Sequence, residues 1–140
     1  MSTIQQSEAT HVTKILVVDD SGLARQMLRK ILERGGHQVI EATNGDSALD
    51  SYRRDRPQLV MLDLVMAGMS GFEVLQKMRE LDQTAKIIVA SADLQTLTDS
   101  LVKEAGAIGF IHKPFAPAQV LDAIEIALLE QTYEPDCRAT

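Results

Sequence analysis

Short apolar runs alternate along the chain with longer stretches whose apolar positions recur every three or four residues. Lys14-Ile15-Leu16-Val17-Val18 is a nearly continuous apolar run closed by Asp19-Asp20, the pattern of a strand buried on both faces of a parallel sheet. Behind it, Leu23, Met27, Leu28, Ile31 and Leu32 recur at helical spacing, with Asp20 or Ser21 as N-cap and Gly35-Gly36 as the stop. The alternation then repeats. His37 to Ala42 reads as a strand and Asp46 to Arg54 as a helix turning Ala48, Leu49 and Tyr52 inward, closed by Pro57. Leu59 to Asp63 predicts a third strand, followed by a loop through Gly68 and Gly71 and a helix using Phe72, Val74, Leu75, Met78 and Leu81. Ile87 to Ser91 predicts the fourth strand, Leu94 to Ala105 a helix, Ala107 to His112 the fifth strand, and Pro117 to about Glu130 a last helix before a frayed tail.

Strand–helix units with short connections predict a doubly wound α/β fold: a five-stranded parallel sheet of order 2-1-3-4-5 with five helices on its two faces. The expected organisation is a flexible N-terminal tail over 1–13, one folded domain over 14–130, and a C-terminal tail over 131–140. In such a sheet, ligands bind at the carboxyl ends of the strands where the strand order reverses, here between strands 1 and 3. Asp19, Asp20 and Asp63 end those two strands and would meet there.

Three converging carboxylates repel one another unless a cation joins them or some stay protonated. Mg²⁺ takes oxygen ligands, keeps several waters, and is commonly held by one or two carboxylates together with a phosphate oxygen. A metal of this kind therefore points to a phosphate. Lys113, at the end of strand 5, can carry an ammonium to the same rim, and Ser91, at the end of strand 4, a hydroxyl suited to a phosphoryl oxygen. Aspartate is a known covalent acceptor of phosphoryl groups, and Asp63, standing alone at its strand end, is the candidate nucleophile. The adjacent Asp19 and Asp20 are better placed to share the metal. Met66, Met69 and Met78 are read as packing residues.

Together, Val17-Val18-Asp19-Asp20-Ser21, Leu62-Asp63-Leu64-Val65-Met66, Gly68-Met69-Ser70-Gly71 and Lys113-Pro114-Phe115 resemble the receiver domain of two-component response regulators, over about Lys14 to Glu130. The resemblance, to a flavodoxin-like fold of the chemotaxis-regulator kind, implies phosphotransfer from a histidine kinase to Asp63. It also implies Mg²⁺ on Asp20, Asp63 and the backbone carbonyl of Val65, with Asp19 reaching the ion through water. Ser91 and Lys113 would contact the phosphoryl group, the peptide between Lys113 and Pro114 would be cis, and Ser91 and Phe110 would form the switch pair. A downstream protein would then bind the surface made by the fourth and fifth predicted helices and the fifth strand. Val65 and Asp93, two residues beyond the acceptor and beyond Ser91, would tune dephosphorylation. One position departs from the family pattern: Ala67 stands where proline is usual.

The remaining features narrow the class. With 14 Lys+Arg against 20 Asp+Glu, the formal charge of −6 disfavours nucleic acid and anionic membranes as partners. Arg53-Arg54-Asp55-Arg56 is read as a solvated helix end. The single cysteine, Cys137, and the absence of a signal-like or membrane-spanning run give an expected cytoplasmic location without membrane insertion. A haloacid-dehalogenase-like phosphatase would need a second Asp where Val65 stands, and a flavin holder would need a phosphate cradle that the Asp19-Asp20 loop lacks. A pseudo-receiver scaffold would lack part of the acid–lysine set. The expected protein is thus a stand-alone signalling switch and not a metabolic enzyme. A histidine kinase or phosphotransfer protein would act upstream and a protein target downstream, on a monomer or a phosphorylation-dependent dimer, in chemotaxis-like or phosphorelay signalling.

Overall fold

The computed structural model describes residues 13–92 and 106–139, with side chains described as far as residue 129. Five strands, β1 (Lys14–Val18), β2 (Gln38–Ala42), β3 (Leu59–Leu62), β4 (Ile87–Ser91) and β5 (Gly109–His112), form one sheet of order β2-β1-β3-β4-β5. Every neighbouring pair is parallel. The predicted topology and its switch point between β1 and β3 are therefore present. Four helices lie among the described residues: α1 (Gly22–Arg34), α2 (Gly45–Asp55), α3 (Gly71–Leu81) and α4 (Pro117–Ala139). The helix predicted from Leu94 to Ala105 falls outside them, so α4 is the fifth helix of the predicted succession.

Period-two alternation divides the core. Leu16 and Val18 of β1, with Val60 and Leu62 of β3, pack against Ala48, Leu49 and Tyr52 of α2 and Val74, Leu75 and Met78 of α3. The intervening Ile15, Val17 and Met61, with Ile88 of β4, face Leu28 and Leu32 of α1 and Val120 and Ile124 of α4. Burial on both faces explains why these strands are apolar throughout. Met66 and Met69 pack against the first of these clusters and Met78 lies inside it, as packing residues should.

Local signals set the helix starts. The Ser21 hydroxyl accepts from the Ala24 N–H at 3.2 Å, selecting Ser21 over Asp20 as the cap of α1. Asn44 and Ser47 form a reciprocal capping box at α2, and Ser70 caps α3 by accepting from Glu73. Two differences from the periodicity reading emerge. Leu23 and Met27 are 68% and 40% exposed, because α1 buries the line through Ala24, Leu28 and Leu32. Helix α4 runs past Glu130 to Ala139; no glycine lies in that stretch to supply a left-handed stop.

Gly71 is required by close approach. A β-carbon there would lie 2.3 Å from the Leu64 α-carbon and 2.5 Å from the Asp63 carbonyl oxygen, both backbone atoms that cannot swing away. The start of α3 is thus pressed against the segment that carries Asp63. Gly68, with φ of 83°, supplies the left-handed turn in the same loop.

Candidate functional site

Buried β1 and β3 deliver their following acids to one edge. Asp19 N–H donates to the Ala42 carbonyl at 3.2 Å and Asp63 N–H to the Val18 carbonyl at 3.0 Å, so both backbones continue the ladder just beyond the strands. Asp19 and Asp63 are buried, at 2% and 5% exposure, while Asp20 is exposed. One carboxylate oxygen from each of the three lies within 4.8 Å of the others. They line an open depression of about 290 Å³ together with Ser21, Val65, Ser91, Ala92 and Lys113.

Each carboxylate has its own anchor. Asp19 Oδ1 accepts from Ser21 N–H at 2.9 Å, and its Oδ2 receives Lys113 Nζ at 2.8 Å. Asp63 Oδ1 accepts from Val65 N–H at 3.1 Å, and its Oδ2 lies 3.4 Å from the same ammonium. Asp20 Oδ2 accepts from the N–H of Ala67 at 3.1 Å. Lys113 is aligned by its own N–H, which donates to the Ser91 carbonyl at 3.1 Å, and the Lys113–Pro114 peptide is cis.

Burial pushes the Asp63 carboxyl above the ordinary carboxylate range and the charge on Asp19 adds to this, against opposing pulls from the Val65 N–H and Lys113. Burial works against the charge on Lys113, yet Asp19 and Asp63 together hold its pKa above the usual lysine value. Lys113 is thus an internal counter-ion, but one ammonium does not balance three carboxylates. The donor set is all oxygen, clustered and net negative, which suits a hard divalent cation such as Mg²⁺.

Asp19, Asp20, Asp63, Val65, Ser91 and Lys113 are therefore brought together as the sequence predicts. Asp93 lies outside the described residues. Phe110 sits away from the rim, in β5, partly buried against the α2/α3 side of the core, with its ring edge-on to His112 at 5.0 Å between centroids. Three supports were not identified from sequence. The backbone N–H groups of Ser21 and Ala67 leave no side-chain signature. Arg25 has one: its Nη1 donates to the Asp19 carbonyl at 2.7 Å and its Nε to Glu41 at 2.9 Å, so a glutamate in β2 between Ile40 and Ala42 was the available clue.

A doubly wound parallel sheet with a cation-ready acidic cluster and an opposed lysine at its switch point defines the class of protein. Residues 15–125 match the family described as Response regulator receiver domain, and the chain belongs to that family. It is 38% identical to the chemotaxis protein CheY of Thermotoga maritima over 112 residues, covering 79% of this chain and 93% of that protein. It is 37% identical over 114 residues to sporulation initiation phosphotransferase F of Bacillus subtilis, covering 80% and 90%. Among solved structures, a CheY-like receiver domain protein from Methanospirillum hungatei superposes with a TM-score of 0.82 at 28% identity, covering 88% of this chain and 98% of that one. The CheY of a CheX–CheY–BeF3–Mg²⁺ complex from Borrelia burgdorferi is similar at a TM-score of 0.78 and 31% identity, covering 86% and 92%. Receiver domains are phosphoacceptor signalling proteins of two-component systems, not metabolic enzymes, and generally use Mg²⁺ at this acidic cluster. No helix among the described residues is long and apolar enough to cross a membrane.

Proposed function

We propose that this chain is a signalling switch in which Asp63 accepts a phosphoryl group from a histidine kinase or a phosphotransfer protein. The observation that carries the proposal is the convergence of Asp19, Asp20 and Asp63 within 4.8 Å opposite Lys113. A carboxylate oxygen of Asp63 attacks phosphorus in line, forming the aspartyl O–P bond as the donor's N–P bond breaks and its electron pair returns to the imidazole nitrogen. Burial strips water from Asp63, while its contacts with the Val65 N–H and Lys113 orient the carboxylate. Asp20, Asp63 and the Val65 carbonyl would hold Mg²⁺, with Asp19 engaging it through water. When bound there, the ion would neutralise charge on the transferring oxygens. Lys113 and Ser91 would contact the phosphoryl group, lying in the same depression.

The signal would leave through Ser91 and Phe110. Ser91 ends β4 and pairs with His112 of β5, two residues beyond Phe110, so a hydroxyl drawn toward phosphate is one strand away from the aromatic ring. Phe110 also lines a cavity of about 390 Å³ with His112, Gln119, Asp122 and Ile126, on the face proposed to meet a protein target. The chain would work in the cytoplasm, with residues 14–130 as its functional domain. Phosphoryl loading would select an alternative pre-existing surface conformation. Acetyl phosphate labelling followed by intact-mass measurement tests the site. Label that requires Mg²⁺ and disappears in Asp63→Asn is expected; undiminished label in that variant would reject Asp63 as the acceptor.

A further inference from the structure

Ala67, which stands where the receiver resemblance leads one to expect proline, donates its backbone N–H to Asp20 Oδ2 at 3.1 Å. A proline has no N–H and cannot make this bond. The replacement therefore adds a donor aimed at one of the three site carboxylates, as well as loosening the loop.

The bond matters because of which carboxylate receives it. Asp19 and Asp63 are buried, and each is held by a backbone N–H on one oxygen and by Lys113 near the other. Asp20 is exposed, and the bond that fixes its side chain comes from across the site, 47 residues along the chain. An exposed carboxylate that must adopt one orientation to take a cation loses rotamer freedom on binding. An N–H already bonded to one of its oxygens removes part of that loss and leaves the other oxygen for the ion.

From this geometry we infer that Ala67 is a positioning residue for the divalent cation, its backbone N–H holding the Asp20 carboxylate ready for Mg²⁺. The inference rests on the reading of Asp20 as a metal ligand. It identifies a feature of this chain's own loop that replaces the restraint of proline with a direct bond to the ligand.

Ala67→Pro removes the N–H and stiffens the loop; Ala67→Gly keeps the N–H and loosens it. The two properties are thereby separated. Isothermal titration of Mg²⁺ into both variants and wild type, at one pH and ionic strength, is the test, with denaturation in EDTA establishing that each is folded. The expected result is binding weakened by roughly tenfold in Ala67→Pro, the lower end of the effect of losing an outer-shell bond to a metal ligand, and near wild-type binding in Ala67→Gly. Ala67→Pro binding as tightly as wild type or more tightly, or both variants weakened alike, overturns the inference while leaving the metal site intact. Absence of Mg²⁺ binding by wild type overturns the metal-site reading and this inference with it. Should Ala67→Pro not fold, amide hydrogen exchange decides: the Ala67 N–H is expected to be protected in wild type and to lose protection in Asp20→Ala, and equal exchange in the two overturns the inference.

Discussion

Replacing Asp63 with Asn should make the metal-free protein more stable even though it abolishes the proposed phosphoacceptor. One carboxylate oxygen of each of the three acids lies within 4.8 Å of the others, so at an effective dielectric of about 20 the charge on Asp63 feels two repulsions of about 3.5 kcal/mol each. Against them stands the attraction of Lys113 at 3.4 Å, about 5 kcal/mol on the same basis. Screening at exposed Asp20 lowers its share of the repulsion, while release of a buried charge on Asp63 adds a gain of its own. The balance favours Asp63→Asn by about 2 kcal/mol, or about 8 °C in Tm for a domain of this size. The Asn carbonyl can still accept from Val65 N–H, so the loop keeps its bond.

Urea denaturation in EDTA measures the difference directly, and pH supplies a second signature. Burial first, and Asp19 next, raise the Asp63 pKa in the folded state, so the native protein holds this proton more tightly than the unfolded chain. The contribution of Asp63 to stability is then fullest below the ordinary carboxylate range and declines as pH rises through its elevated pKa. That decline should be missing in Asp63→Asn. Added Mg²⁺ should reverse the ranking, since it binds the folded wild type and contributes about 2.7 kcal/mol at one hundred times its Kd, while the variant has lost a ligand. An Asp63→Asn protein no more stable than wild type in EDTA would refute the claim that charge crowding dominates the site.

Two further outcomes are expected. Val65 is 60% exposed beside the acceptor and its N–H, not its side chain, holds Asp63, so Val65→Asn should leave labelling intact and shorten the phosphoryl lifetime several-fold by offering an amide to the attacking water. A lifetime equal to or longer than that of wild type in a folded variant would show that Val65 does not set it. Tyr52 donates its hydroxyl to Asp82 at 2.9 Å and is pushed above the ordinary phenol range by burial and then by Asp82. Tyr52→Phe should therefore cost about 1 kcal/mol near neutral pH, the difference narrowing above the unfolded phenol pKa near 10, and spectrophotometric titration should lose its late phenolate step.

The sheet and its acids were legible because one physical cause fixes both. A strand buried on two faces must be apolar throughout, so the first acids after Val18 and Leu62 mark where the apolar run ends, and parallel pairing brings those ends to the same edge. The face of α1 was less legible. Leu23, Met27 and Ile31 form one helical line and Ala24, Leu28 and Leu32 the adjacent line, and both satisfy the same periodicity. Which line turns inward depends on how the helix lies on β1 and β3, and the structure buries the line that includes the small Ala24.

Supports made by backbone atoms were harder still to foresee, since Ser21 N–H and Ala67 N–H act through positions their side chains do not report. Sequence comparison by motif treats Ala67 as the loss of a proline, a change in loop stiffness. The folded chain gives the same substitution a second meaning. Because the family's usual residue has no N–H, what changes at Ala67 is the number of donors facing the acidic cluster as well as the freedom of the loop. These two effects predict opposite responses to restoring proline: tighter cation binding if stiffness governs the site, weaker binding if the bond to Asp20 governs it. The geometry favours the second, because the buried Asp19 and Asp63 are already anchored by backbone N–H groups and Lys113, whereas Asp20, exposed at the rim, is held by the Ala67 N–H.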